Sequence, residues 1–297
     1  MRTKILFKAC LTCFAIFTLS LFAFKPIEKK QNSQKPFGGL ALYTVRDQMA
    51  KDPRATLKKV AEAGYVNIEA CEYNNGKYFN LSPLEFKALL AEMNLTPISA
   101  HQGNVNFDNI DQQIADVKAV GFKYFIIPTP PMGMFQNNPT TRRMGMSGNA
   151  KTLAEILNKV GEKCKAAGLE LLYHNHDFEF TKDNEGNVIL DYLLEHCDKN
   201  VVNFQMDLFW TTKAGQDPVA YFKRYPGRFK IWHVKDMDEK GLFAPVGNGK
   251  IDFKRILAEK KLSGMKYYYV EQDACFNETP LEAIVISHNG LSNIGFK

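Results

Sequence analysis

No Asp or Glu occurs in residues 1–24. Arg2, Lys4 and Lys8 lead into an apolar run over 9–24 that falls short of the roughly 20 residues a spanning helix needs. A basic start before an apolar stretch of that length reads as a secretory signal peptide over 1–24, with an uncleaved membrane anchor as the alternative. Ala23 is small, as cleavage requires, but Leu21 is not. The polar stretch 25–37 reads as a linker, and export to the periplasm is the expected location. The rest of the chain has no multi-span hydrophobicity, and 24% charged and 45% apolar residues exclude a disordered or fibrous protein. Net charge offers little to nucleic acid: removing Arg2, Lys4 and Lys8 leaves +3 of the formal +6. Cysteine is equally sparse. Cys71, Cys164, Cys197 and Cys275 lie too far apart for a CxxC metal motif and read as buried free thiols.

A phrase recurs three times, AEAGYVNIEA at 61–70, KAVGFKYFII at 118–127 and KAAGLELLYH at 165–174. Each is a helix end, a glycine stop (Gly64, Gly121, Gly168) and an apolar strand of the kind buried in parallel sheets. Strands are expected near 40–45, 66–69, 96–101, 124–128, 170–176, 202–207, 229–235 and 267–271. Amphipathic helices are expected at 53–63, 82–93, 109–120, 151–167, 190–197, 217–225, 252–261 and 279–291, the first capped by Asp52 with Pro53 in its first turn. Eight strands alternating with eight helices in about 260 residues predict one α/β domain over 38–297, a (β/α)8 TIM barrel. The glycine-rich turn that marks a doubly wound sheet is missing after strand one, where RDQMAKDP follows Val45.

Chemistry in such barrels collects at the C-terminal strand ends. Those positions carry Arg46, Glu69 and Glu72, His101, then His174, His176 and Glu179, then Asp207, His233 and Lys235, and finally Glu271 and Asp273. Taken singly, each has a plainer reading as a helix cap, a salt bridge or a structural histidine, and His196 and His288, inside helices, take that reading. Convergence of four of the six histidines on strand ends favours a site. Alternation along a strand would project His174 with His176, and His233 with Lys235. Imidazoles with carboxylates and no thiolate suit manganese, zinc or iron better than calcium. The long segment 131–147, with Arg142 and Arg143, is a lid candidate.

The segments GLALYTVRD (39–47), YHNHDFEF (173–180), MDLFW (206–210), WHVKD (232–236), VGNGKIDF (246–253) and VEQD (270–273) resemble the xylose-isomerase-like TIM barrels, also described as sugar phosphate isomerases/epimerases. The resemblance runs over about 38–291. It implies one divalent metal, manganese first with zinc, cobalt, nickel or iron as alternatives, held by Asp207, His233 and Glu271. His174 stands where relatives carry a strand-five Glu and is the fourth ligand it implies, with His176 as the alternative. Without that carboxylate a two-glutamate epimerisation loses one partner. A lyase or hydratase acting on a keto-sugar through a metal-stabilised enolate is the favoured expectation, as in keto-inositol dehydratase-like and keto-sugar lyase-like barrels. His176, Glu271, Glu179 and Lys235 are then the proton-transfer and catalytic candidates. Arg46, Glu69, His101 and Lys235 are the substrate-binding candidates. A sugar isomerase or epimerase and a non-catalytic sugar-binding barrel are the alternatives; export and low charge disfavour a DNA-repair endonuclease. No glycine-rich phosphate cradle is visible, which favours a free or glycosidic sugar as partner. No nucleic-acid partner is expected, and a homodimer is left open.

Overall fold

The structure, a computed structural model, describes residues 36–138, 140 and 143–297. The signal-peptide expectation over 1–24, most of the expected linker and Arg142 lie outside these residues. Eight parallel strands close into a barrel: β1 Gly39–Ala41, β2 Asn67–Ala70, β3 Thr96–His101, β4 Tyr124–Ile127, β5 Glu170–His174, β6 Val202–Asp207, β7 Phe229–Val234 and β8 Tyr267–Val270. Each pairs with the next, and β8 returns to β1 with Gly39 opposite Tyr269 and Leu40 opposite Val270. The TIM barrel expected from the alternating pattern is the fold found. The register slips once between β2 and β3, next to Glu69, and once between β6 and β7, next to Gln205.

The principal surrounding helices are α1 Pro53–Glu62, α2 Pro83–Glu92, α3 Ile110–Val120, α4 Ala150–Ala166, α5 Ile189–His196, α6 Pro218–Arg224, α7 Phe253–Ala258 and α8 Pro280–Ile294. Their ends follow the chain's own signals. Asp52 accepts from the Ala55 amide at 2.9 Å with Pro53 in the first turn, as expected. Ser82 with Glu85, and Thr279 with Glu282, form reciprocal caps. Gly121 closes α3 at φ 102°, a conformation open to glycine, and the buried strand Tyr124–Ile127 follows.

Several expectations need correction. Strand one ends at Ala41, and Leu42–Val45 coil into a 3-10 turn. Buried Leu42 and Val45 mimic a strand in composition, but they pack in the layer between barrel and helices. Residues 252–261 form two short helices, Phe253–Ala258 and Lys260–Ser263, not one. The segment 131–147 contains an antiparallel hairpin, Phe135–Asn138 with Arg143–Met146, where a loop was expected; Arg143 is exposed on it. A short helix, Leu208–Lys213, begins directly after β6. Cys71, Cys164 and Cys197 are buried free thiols, while Cys275 is only half-buried. Among the described residues no helix is long and apolar enough to cross a membrane.

The core has two parts. Strand residues facing outward, such as Leu171, Tyr173, Trp232 and Val234, pack with the helices in one large cluster. Their alternates facing inward, Ile98, Ile126, Leu172, Ile231 and Tyr269 with Ala41 and Tyr124, form a separate apolar plug in the barrel. Polar side chains begin above that plug.

Candidate active site

The lowest polar layer is built around Glu69 on β2, which is 1% exposed. Its carboxylate accepts from the Ser99 hydroxyl at 2.7 Å and from the Gln205 amide at 2.7 Å, and it meets His233 Nε2 at 2.5 Å and His101 Nε2 at 3.0 Å. Burial works against its charge, but the two imidazoles hold its carboxyl well below the usual range. Because Gln205 spends its NH2 on Glu69, its Oε1 faces the histidines and accepts from His101 Nε2 at 2.8 Å and His174 Nδ1 at 2.9 Å. With its proton on Nδ1, His174 keeps the Nε2 lone pair, which points to within 4.0 Å of Asp207 Oδ2. Burial, reinforced by the neighbouring imidazoles, lowers the His174 pKa well below its ordinary value, so the ring is neutral.

His233 is held from both sides. Nε2 contacts Glu69, and Nδ1 lies 2.9 Å from Glu271 Oε2 and 3.8 Å from Asp207 Oδ2. Burial disfavours its charge, yet Glu271 and Glu69 push its pKa up to about 10. Asp207 divides its oxygens. Oδ1 caps the helix after β6 through the Trp210 amide at 2.8 Å, whereas Oδ2 is buried and pairs with the Lys235 ammonium at 3.0 Å. Lys235, 1% exposed, also lies 2.7 Å from Glu271 and 2.7 Å from Asp273. These three carboxylates outweigh the burial penalty and raise its pKa well above the ordinary value. Burial pushes Asp273 up to about 6, against the pull of Lys235.

Ligand-type atoms of Asp207, His233 and Glu271 all lie within 4.8 Å of one another, as do those of His101, His174 and His233. A carboxylate–imidazole mixture with an outer carboxylate on the far nitrogen of His233 is the donor chemistry of a borderline divalent cation, and Asp207 Oδ2, whose partner is the Lys235 ammonium at 3.0 Å, would exchange that ion pair for the metal. Above these groups opens a cavity of about 510 Å3 lined by His101, His174, His176, Lys235, Glu271 and Asp273. Tyr43, Tyr73, Trp210 and the hairpin residues Phe135 and Met144 form its aromatic and apolar walls, with the Asn137 amide among them.

A family model described as the xylose isomerase-like TIM barrel matches residues 57–274. The chain belongs to that family. An inosose dehydratase of Clostridium perfringens is 31% identical over 153 residues, which is 44% of this chain and 50% of that protein, so the match spans about half of the relative's length. The crystal structure of a sugar phosphate isomerase/epimerase from Parabacteroides distasonis superposes with a TM-score of 0.72 at 25% identity, covering 86% of this chain and 98% of that one. An IOLI protein structure with a bound zinc atom has a TM-score of 0.63 at 14% identity, over 87% of this chain and 97% of that one, a likeness of fold alone.

The family barrel brings most of the expected residues together, with three exceptions. Glu69 does not line the cavity; it lies beneath it and orients His233, His101 and Gln205. Glu179 is fully buried, accepting from the Tyr173 hydroxyl at 2.8 Å and the His176 amide at 2.8 Å, so it steadies the loop that carries His176 and lies outside the cavity wall. Burial raises its pKa to about 8. Arg46 lines a neighbouring depression, where its guanidinium donates to the Tyr43 carbonyl at 2.7 Å and the Asp273 carbonyl at 3.1 Å. His174 and His176 do face one another, rings 4.8 Å apart, although β5 ends at His174 and strand alternation is not the reason.

Gln205 escaped notice in the sequence because a lone amide inside VVNFQMDLF carries no motif. The structure also joins the segments WHVKD and VGNGKIDF. Asp236 accepts the backbone N–H groups of Gly247, Gly249 and Ile251, and a Cβ at Gly249 would meet Asp236 Oδ1 at 2.3 Å.

Proposed function

We propose that this chain is a metal-dependent lyase or hydratase acting on a keto-sugar, a 3-keto-glycoside or its dehydrated product. The observation that carries this reading is the donor set at the mouth: Asp207, Glu271, His233 Nδ1 and the His174 Nε2 lone pair converge beneath one cavity. A divalent ion held there by these four residues would supply a Lewis acid that draws charge toward the ketone oxygen. The ion's identity is open among manganese, zinc, cobalt, nickel and iron; the zinc of the IOLI protein supports a divalent metal and does not choose among them.

The chain's own residues supply the proton transfers. His176 lines the cavity with Nδ1 buried and unpaired, which places it to take the proton beside the ketone; burial lowers its pKa to about 3, so the ring is neutral but a weak base, and the transfer would rely on an ion at the ketone oxygen to acidify that C–H bond. Asp273 lines the cavity with a pKa pushed up to about 6 by burial, which suits delivery of a proton to the departing oxygen. Lys235 offers a charge-assisted donor to a substrate oxygen, and Glu271 both holds Lys235 and stands at the reacting side. One C–H bond and one C–O bond break, and the oxygen leaves protonated. A histidine replaces the strand-five carboxylate, which favours one-sided proton transfer over a two-carboxylate epimerisation. The inosose dehydratase name of the Clostridium perfringens relative supports loss of water. The basic–apolar pattern at 1–24 supports an exported enzyme and, with it, a sugar without phosphate.

Incubation of the manganese-loaded protein with a 3-keto-glucoside in deuterated water tests the reading. A product that has lost water or an aglycone, with the C–H beside the ketone replaced by a C=C bond, is expected from elimination, and a product that has gained water, with deuterium at that carbon, from hydration of the dehydrated sugar. Deuterated simple isomers would replace the proposal with an isomerase or epimerase, the activity named for the Parabacteroides distasonis neighbour.

A further inference from the structure

A second cavity of about 570 Å3 lies beside the mouth and shares Tyr73, Gly103 and Asn104 with it. Its character differs. Amides line it, among them Asn74, Asn109, Gln112 and Gln113, together with one carboxylate, Asp116, and its lining contains no Lys or Arg. Gln113 is 4% exposed; its amide nitrogen reaches the Gly103 carbonyl at 3.5 Å, and its Oε1 is buried with no hydrogen-bond partner. Asp116 is 9% exposed, and its two oxygens accept from the Tyr73 hydroxyl at 2.5 Å and the Gln112 amide at 3.0 Å. A lining side chain whose buried acceptor has no partner gains a hydrogen bond by turning toward a donor of an occupant. With no cation in the wall and one carboxylate in it, an anionic or phosphorylated group is disfavoured. An apolar group would leave the amides unpaired. A neutral polyhydroxyl group meets both conditions, and the Tyr73 ring, shared by the two cavities, offers an apolar face where they join.

We propose that this amide-lined cavity is a subsite for a second, neutral hexose unit, so that the substrate is a disaccharide whose keto-sugar half occupies the mouth. The inference rests on the keto-sugar reading above for the identity of the first unit only.

The test compares methyl glucoside with maltose, cellobiose and trehalose in binding by NMR saturation transfer, and the 3-keto forms of the same sugars in turnover. At least one disaccharide should bind roughly tenfold more tightly than methyl glucoside, the worth of about one well-made hydrogen bond. Gln113→Leu should erase that preference and leave methyl glucoside binding within about twofold. Gln112→Ala, an exposed position that keeps the test open if Gln113→Leu does not fold, should weaken the preference without abolishing it. No preference for any disaccharide, or an equal loss for both sugar classes in the variants, overturns the subsite. Turnover without disaccharide preference removes the subsite and leaves the proposed reaction standing. Binding preference without turnover of any keto-sugar does the reverse.

Discussion

The inside of the barrel is two different materials. Its floor, Ile98, Ile126, Leu172 and Ile231 with Tyr269, is an apolar plug that differs little from the core outside the strands. One step toward the mouth, β3, β5 and β7 present His101, His174 and His233, joined with Glu69 of β2 and Gln205 of β6 in a single hydrogen-bonded network around one carboxylate. The floor closes the barrel by burial and tolerates substitution within the limits of volume. The network above it is buried apart from His101 at the cavity edge, and its members depend on one another, because an unpaired polar group beneath the cavity has no water to fall back on. One barrel therefore gives stability at one level and chemical orientation at the next.

The two levels can be separated experimentally. The largest expected effect is Glu69→Ala, which strands His233, His101 and Gln205 together. Breaking a buried charged network by removing one partner costs about 3–5 kcal/mol, so urea unfolding should show a loss of that size together with loss of metal. Ile231→Ala, in the floor, should cost about 2–5 kcal/mol while metal content and kcat/KM at 20 °C stay within about threefold. A matching loss of metal there would erase the distinction between floor and network. Gln205→Leu removes an orienting amide from behind His174 and should weaken metal binding by about 10–100-fold, read by competition with a chromophoric chelator, with a stability change smaller than that of Glu69→Ala.

A separate, pH-dependent effect concerns Glu179, beneath the loop of His176. Burial raises its pKa from an ordinary 4.5 to about 8, so between those values the folded state holds a proton that the unfolded chain releases. Stability is then lost as pH rises from about 4.5 to 8 and changes no further above it. Glu179→Gln should flatten that part of the stability–pH curve, measured by thermal unfolding at pH 5, 6, 7 and 8; an unchanged slope would show that Glu179 is ionised in the folded protein.

Much of this architecture is legible in the chain. The repeated helix–glycine–strand phrase marks β2, β4 and β5, and β3 and β6 fall on the expected residues because their apolar runs end in His101 and Asp207. Strand ends were harder to place at β1, where buried Leu42 and Val45 serve a 3-10 turn equally well. The clustering of His101, His174, His176, Asp207, His233, Lys235 and Glu271 is likewise foreshadowed by their positions at strand ends. Depth is not. Nothing in the residue types tells that Glu69 lies under the cavity while Asp273 lines it, or that Glu179 is sealed behind His176. Those distinctions come from side-chain reach and from the bulges beside Glu69 and Gln205, which are properties of paired strands and not of any one segment.

The most direct test of the metal-centred account is elemental analysis of manganese-reconstituted wild type, Asp207→Ala and His233→Ala, each checked for native circular dichroism. The account predicts about one divalent ion per chain in the wild type and loss of the ion, with loss of keto-sugar turnover, in both folded variants. Full metal retention in both would contradict it and move the centre away from Asp207 and His233.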